Sequence, residues 1–203
     1  MRMLAIECAT EACSVALFED GELIAHDHRV VGRGHAERLV PMIAALPGSG
    51  KAGQIAVSQG PGSFTGVRIG LATARALGFA WGAQVLGYPT LALVAAMARA
   101  ERGPQPVCAA MTGGHGQWFL QNFDETGAAL AEMASLDPTD AAVAAAAPLV
   151  AGTQAEALVA ARGRGEALLL YPDARFVAAL PGTVLTPDAA AIYGREPDAK
   201  LPA

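Results

Sequence analysis

The chain has 203 residues, 53% hydrophobic and 16% charged, with a formal net charge of −5. That length and apolar content suffice for a sizeable core in one large domain or two lobes. No run of Lys or Arg supplies the cationic stripe of sequence-independent nucleic-acid binding, so the chain is expected to hold RNA poorly by itself.

The opening Met3-Leu4-Ala5-Ile6 reaches Glu7 at once, unlike a secretory leader, and the apolar stretch 69–86 carries Arg75 and several glycines, unlike a membrane span. Cys8, Cys13 and Cys108 match no paired metal spacing, and their odd number argues against a disulfide framework. A reduced, cytoplasmic setting is the simplest expectation.

In chain order, residues 3–8 and 13–18 read as apolar strands, and Asp20-Gly21 as a two-residue hairpin turn into a third strand over 23–29. Leu39, Met42, Ile43 and Leu46 recur at helical spacing and predict a helix over 35–46, closed by Pro47-Gly48-Ser49-Gly50. A strand over 54–58, a glycine loop, a helix from 65 or 66 to 81, a strand over 85–87 and a helix over 90–101 complete a hairpin-led α/β layout. Gly103-Pro104-Gln105-Pro106 predicts a lobe boundary, giving lobes over 1–103 and 104–203. Beyond it, strands are expected over 107–111 and 117–123, a turn at 124–127 leading into 129–135, and short helices over 138–147, 153–163 and 187–193.

The glycine loop misses both common nucleotide fingerprints. Gly60, Gly62 and Gly66 are spaced one residue too widely for a dinucleotide loop, and Gly50-Lys51 is followed by Ala52 where a P-loop needs Ser or Thr. Gly60, Gly62, Ser63 and Thr65 form either an anion or nucleotide loop at a helix N-terminus or a turn needed only for close backbone packing. Gly66, Gly70, Ala74, Gly78 and Gly82 recur every four residues and leave one helical ridge bare. Interior glycine costs roughly 0.5–1 kcal/mol relative to Ala, so a close contact must compensate. Either a partner helix or the chain's own sheet can supply it.

The remaining chemistry is sparse. His26 and His28 share a strand face without a third ligand nearby, Cys8 and Cys13 have no local activating base, and Glu7 is a single carboxylate where a nucleotide's metal could bind. No catalytic set and no metal site emerge.

Residues 4–17, with Glu7-Cys8-Ala9-Thr10-Glu11, together with Gly32-Arg33-Gly34-His35-Ala36-Glu37-Arg38-Leu39, the loop Gly60-Pro61-Gly62-Ser63-Phe64-Thr65-Gly66-Val67-Arg68 and the tail Ile192-Tyr193-Gly194-Arg195-Glu196-Pro197, resemble the TsaB family along nearly the whole chain. The resemblance implies an actin/Hsp70-like (ASKHA) two-lobed α/β fold with ribonuclease H-like sheets and a reduced second lobe. It implies a non-catalytic scaffold subunit for tRNA N6-threonylcarbamoyladenosine formation. Its partners would be a TsaD-like transferase and a TsaE-like ATPase, with tRNA reached only through the complex and no nucleotide site expected except, for ATP or ADP, at the complex interface. The Gly- and Ala-rich helix faces would admit a second copy as homodimer when the partner is absent.

The expected partner interface lies on the two helices, with His35, Leu39, Met42, Ile43, Gly66, Gly70, Ala74 and Gly78. Where the related transferase places two metal-binding histidines four residues apart, this chain has Thr90 and Val94. The competing reading is an independent ATP-dependent enzyme of the same fold, or a metallopeptidase-like protein.

Overall fold

A computed structural model describes residues 1–194. The first lobe is built from β1 (Arg2–Glu7), β2 (Ala12–Glu19), β3 (Glu22–Val30), α1 (His35–Ala45), β4 (Gln54–Ser58), α2 (Phe64–Trp81) and β5 (Gln84–Tyr88). Its sheet runs β3-β2-β1-β4-β5, antiparallel through the hairpins and parallel from β1 to β5. Asp20 and Gly21 both take positive φ, 51° and 88°, matching the twist a two-residue hairpin requires. Apart from Glu19, β2 is buried along its length, as expected of a strand covered on both faces.

Helix α3 (Thr90–Arg102) leads into β6 (Val107–Thr112), β7 (Trp118–Phe123), β8 (Ala134–Leu136), α4 (Pro138–Ala144), β9 (Leu149–Ala151), α5 (Ala155–Arg162) and β10 (Glu166–Leu168). The second sheet runs β8-β7-β6-β9-β10, with antiparallel pairs on the hairpin side and parallel pairs beyond β6. Read from its hairpin edge, this is the topology of the first sheet. The second version is reduced, since β8, β9 and β10 have three residues each.

Four apolar clusters define the layers. Leu39, Met42 and Ile43 of α1 and Val67, Leu71 and Ala74 of α2 cover one face of the first sheet. On its other face, Ala5, Ala16, Phe18 and Tyr88 meet Leu93, Ala96 and Met97 of α3, together with a 3₁₀ segment, Ala174–Ala179. Leu91, Val94, Ala95 and Ala98 of the same helix pack against Val107, Met111, Phe119 and Leu149 of the second sheet. The outer face of that sheet is closed by Ala141 of α4 and Ala155 and Leu158 of α5. The order is helices, sheet, α3, sheet, helices.

The proposed partner-facing residues belong to this interior. His35, Leu39, Met42, Ile43 and Ala74 are buried in the single chain, and Gly66, Gly70 and Gly78 are buried on the inner face of α2. A Cβ on Gly66 would overlap the Cys8 carbonyl, and one on Gly78 would lie 2.5 Å from a Val85 methyl. The bare ridge therefore brings α2 onto its own sheet. In the free chain this packing takes up Gly66, Gly70, Ala74 and Gly78, while Gly82 is exposed with open space where a Cβ would stand, and a partner at the expected residues stays a proposal.

Two expectations change. Residues 187–193 are extended, not helical: their carbonyls are taken by Gln59 and Arg75, so tertiary hydrogen bonds override local propensity. The chain also returns to the first sheet late, with the 3₁₀ segment against β1, β2 and α3 and Thr186 bridged to Gly87. A lobe boundary after residue 103 is a proposal that must allow for this return. The tail motif beyond Gly194 lies outside the described residues.

The α2 ridge generates a paired prediction. Gly66→Ala forces a methyl into a backbone carbonyl and is expected to cost about 3 kcal/mol. At Gly70 a Cβ meets Cys8 and Val57 at 3.6 Å, an ordinary contact, so Gly70→Ala is expected to stabilise by up to about 1 kcal/mol through helix propensity. Urea denaturation of the two variants checks both; equal effects would remove the packing explanation.

Candidate functional site

With their inner faces packed, α1 and α2 lie side by side and leave an outer surface where small apolar groups are exposed beside Glu37, Arg38, Arg68 and Arg75. Ala36, Val40, Pro41 and Ala44 are exposed on α1, and Ala72, Ala76, Phe79 and Ala80 on α2. Val40 is 54% exposed and Phe79 94%. A phenyl ring held this far into water marks a contact surface more strongly than the scattered apolar atoms of an ordinary exterior. Sequence periodicity selected the buried stripe and passed over Val40 and Phe79. The usable signal was an aromatic side chain off the small-residue ridge of α2, among its alanines.

The second site is a cleft of ≈ 310 Å³ between the lobes. One wall is the β1–β2 turn, Ala9 to Glu11, with Gly62, Ser63 and Phe64; the other is Thr112 to Gly114, where β6 turns toward β7, with Thr153. The two hairpin turns occupy equivalent places in the two sheets, which no local sequence pattern discloses. Of the expected anion loop, Gly62 and Ser63 line the cleft, whereas Gly60 and Thr65 are not among its lining residues.

The walls are tied largely to themselves. The Ser63 amide donates to the Ala9 carbonyl at 2.7 Å, and the Ser63 hydroxyl caps α2 by accepting from the Gly66 amide at 3.3 Å. Opposite, the Thr112 amide donates to the Thr153 hydroxyl at 3.0 Å, the Gln154 side chain donates to the Thr112 hydroxyl at 2.8 Å, and the Gly113 amide donates to the Gln117 carbonyl. Among the described residues, Glu11 is the charged side chain in the lining. Hydroxyls, glycine backbone and one carboxylate suit a neutral polar group or a metal-bridged anion better than a bare anion.

Behind the first wall lies a buried polar set. Glu7 is fully buried, and its carboxylate accepts from the Ala9 amide at 2.6 Å and from the Tyr88 hydroxyl at 3.4 Å. Tyr88 also donates to the Ile6 carbonyl at 2.9 Å, and Ser58 and Thr90 share a 2.6 Å hydroxyl bond. Burial pushes the Glu7 carboxyl from 4.5 up to about 7, against the hydrogen bonds from Ala9, Ser58 and Tyr88 that pull it down. Glu7 thus braces the β1–β2 turn from behind and does not line the cleft.

His35 does the same from α1, its Nε2 lying 2.9 Å from the Thr10 carbonyl and 3.2 Å from that of Ala12. Thr90 and Val94, at the expected ligand positions, are buried, one bonded to Ser58 and the other packed on the second sheet. Cys8 and Cys13 are buried with sulfurs 3.7 Å apart, and burial pushes Cys108 up to about 12. Among the described residues no cluster of three His, Cys, Asp or Glu side chains could hold a metal ion, and no helix is long and apolar enough to cross a membrane.

Two lobes of matching topology, a helix buried between them and a cleft between equivalent hairpin turns define a protein of the actin/Hsp70-like class. Comparison with known proteins narrows this. Residues 28–175 match the family model described as TsaD, tRNA N6-adenosine threonylcarbamoyltransferase. A solved YeaZ-like structure from Pseudomonas aeruginosa is 30% identical, with a TM-score of 0.81 over 96% of this chain and 99% of that one. A second, YeaZ from the same organism, is 29% identical with a TM-score of 0.79.

The "tRNA threonylcarbamoyladenosine biosynthesis protein TsaB" of Escherichia coli is 40% identical over 134 residues, 63% of this chain and 58% of that protein. The protein of the same description from Haemophilus influenzae is 40% identical over 84 residues, 39% of this chain and 35% of its own length. The chain therefore spans about half the length of the curated relatives it matches. It belongs to the TsaB/YeaZ family, within the group that the TsaD model describes.

Glu7 supplies the pH prediction. In the folded chain it keeps its proton to about pH 7, whereas the unfolded chain releases it near 4.5, so the native state binds more protons between these values. Its stabilising contribution is full below 4.5 and is lost as pH rises through about 7, roughly 3 kcal/mol at 1.36 kcal/mol per pH unit. Glu7→Gln is expected to remove this fall. The difference in unfolding free energy between parent and variant, followed by urea titration from pH 4.5 to 8, checks it, and parallel profiles refute it.

Proposed function

We propose that this chain is a non-catalytic scaffold subunit for tRNA N6-threonylcarbamoyladenosine formation, binding and stabilising a TsaD-type transferase. The observation that carries the reading is the outer surface of α1 and α2, where Val40 and Phe79 project into solvent from helices whose inner faces are already packed. A transferase of the same two-lobed class can present an equivalent helix pair to it, and the small residues Ala36, Ala44, Ala72 and Ala76 let two such pairs approach closely. In the absence of that partner a second copy of this chain can meet the same surface.

The scaffold role is supported further by what fills the chemical positions. Thr90 and Val94 stand where the transferase resemblance puts imidazoles, and both are committed to packing. The net charge of −5 agrees with tRNA being gripped elsewhere in the complex. A TsaE-like ATPase completes the proposed cytoplasmic assembly. ATP or ADP, where it takes part near this chain, sits at the complex interface, since the cleft offers no cation of its own among the described residues.

The test is reconstitution with the host's transferase and ATPase, scored by threonylcarbamoyladenosine formed on tRNA. Omitting this chain is expected to abolish product, and the isolated chain is expected to make none. Val40→Glu with Phe79→Glu is expected to cut product at least tenfold and to prevent co-purification with the transferase, at a stability change within about 0.5 kcal/mol. Leu39→Ala, on the buried side of the same helix, instead is expected to cost about 3 kcal/mol of stability. Full product without this chain, or intact co-purification of the double Glu variant, refutes the reading.

A further inference from the structure

Residues 185–194 continue from the 3₁₀ segment packed on the first sheet and run along the first lobe without forming a helix or strand of their own. They are held mainly by their backbone. Thr186 exchanges two hydrogen bonds with Gly87 at the β5 edge, at 2.7 and 3.0 Å. The Gln59 amide donates to the carbonyls of Asp188 at 2.6 Å and Ala190 at 2.8 Å, the Ile192 amide donates to the Gln59 carbonyl, and Arg75 donates to the Ala189 carbonyl at 2.9 Å. Of the side chains from Thr186 to Tyr193, Ala189 is the buried one, so this stretch contributes little apolar burial to resist opening.

The last two described residues reach both rims of the cleft. Arg68 donates to the Tyr193 hydroxyl at 3.3 and 3.1 Å, and the Tyr193 ring lies 5.9 Å from that of Phe64, which lines the cleft. The Arg68 guanidinium lies over the same Phe64 ring, 3.4 Å from its centre. One residue on, Gly194 lies so close to the Phe119 ring of the second lobe that a Cβ there would overlap it. Phe119 pairs with Met111, immediately before the cleft residue Thr112.

We infer that residues 185–194 are a strap across one end of the interlobe cleft, and that release of Tyr193 or of Gly194 lets the two lobes pivot about α3 and widen that end. The strap works through two contacts on opposite rims, so cutting either has the same consequence. Tyr193→Ala removes the ring and hydroxyl on the first lobe. Gly194→Val drives a side chain into Phe119 and pries the strap from the second. Arg68→Ala removes the partner of the Tyr193 hydroxyl without altering the strap itself. The inference concerns the free chain and does not depend on the scaffold reading.

The experiment is a spin-label distance measurement on the full chain, with labels at Ala36→Cys on α1 and Glu156→Cys on α5, both exposed sites on opposite lobes. The native cysteines are buried and should not compete for the label. The expected result is a longer and broader interlobe distance in Tyr193→Ala, Gly194→Val and Arg68→Ala than in the labelled parent, with helix content by circular dichroism unchanged. Faster hydrogen exchange of the Ile192 amide is expected in the same variants. An unchanged distance in all three overturns the inference. Opening by only the Tyr193 and Arg68 variants, or only the Gly194 variant, also overturns it, because a strap must hold at both rims.

Discussion

Helix Thr90–Arg102 is apolar on opposite faces, and both faces are buried. Leu93, Ala96 and Met97 press on the first sheet, while Leu91, Val94, Ala95 and Ala98 press on the second. Burying a large aliphatic side chain is worth about 1.5–3 kcal/mol, and here that gain is collected simultaneously from two sheets. This shared layer sets the separation and angle of the lobes and so determines that the β1–β2 and β6–β7 turns face one another. The same burial removes Thr90 and Val94 from any contact with solvent or ligand.

A second constraint acts on the opposite side of the first sheet. The small-residue ridge of α2 lets the helix lie against the Cys8 carbonyl and the Val85 side chain, closer than larger residues would allow. The glycines weaken the helix locally, and tight packing on β1 and β5 offsets that loss. Because most of the ridge packs internally, the surface proposed for binding is the reverse side, where exposed Ala, Val, Pro and Phe side chains stand beside Glu37, Arg38, Arg68 and Arg75. The inner side of the helix thus serves stability, and the outer side is the one proposed to bind.

The cleft has the geometry of a ligand site, yet its hydrogen bonds are largely internal. Ser63 caps α2 and ties its own amide to Ala9, and Thr153 and Gln154 bond to Thr112. Glu7, the strand-end acid that a metal-bound nucleotide would need, is turned beneath the turn and bonded to the Ala9 amide, with its ionisation opposed by burial. These features give the two lobes a stiff, self-satisfied seam. The proposed strap from Leu185 to Gly194 would add to that stiffness from outside.

The sequence by itself determined the hairpin-led first sheet, since local signals there are strong. The strand over 54–58 and the helix starts at His35 and Thr90 coincide with the structure, and Asp20-Gly21 encodes its own turn. Family likeness was legible in the loop from Gly60 to Arg68, because close backbone packing there leaves few residue types that fit. Strands β9 and β10 were not legible, because three residues are too few to show alternation. The segment over 187–193 looked helical because its alanines are good helix formers, but Gln59 and Arg75, more than one hundred positions away in sequence, claim its carbonyls. The direction of the glycine ridge was likewise undecided until the sheet was in place. Periodicity identifies that a helix has a bare side, whereas only tertiary packing decides what that side touches.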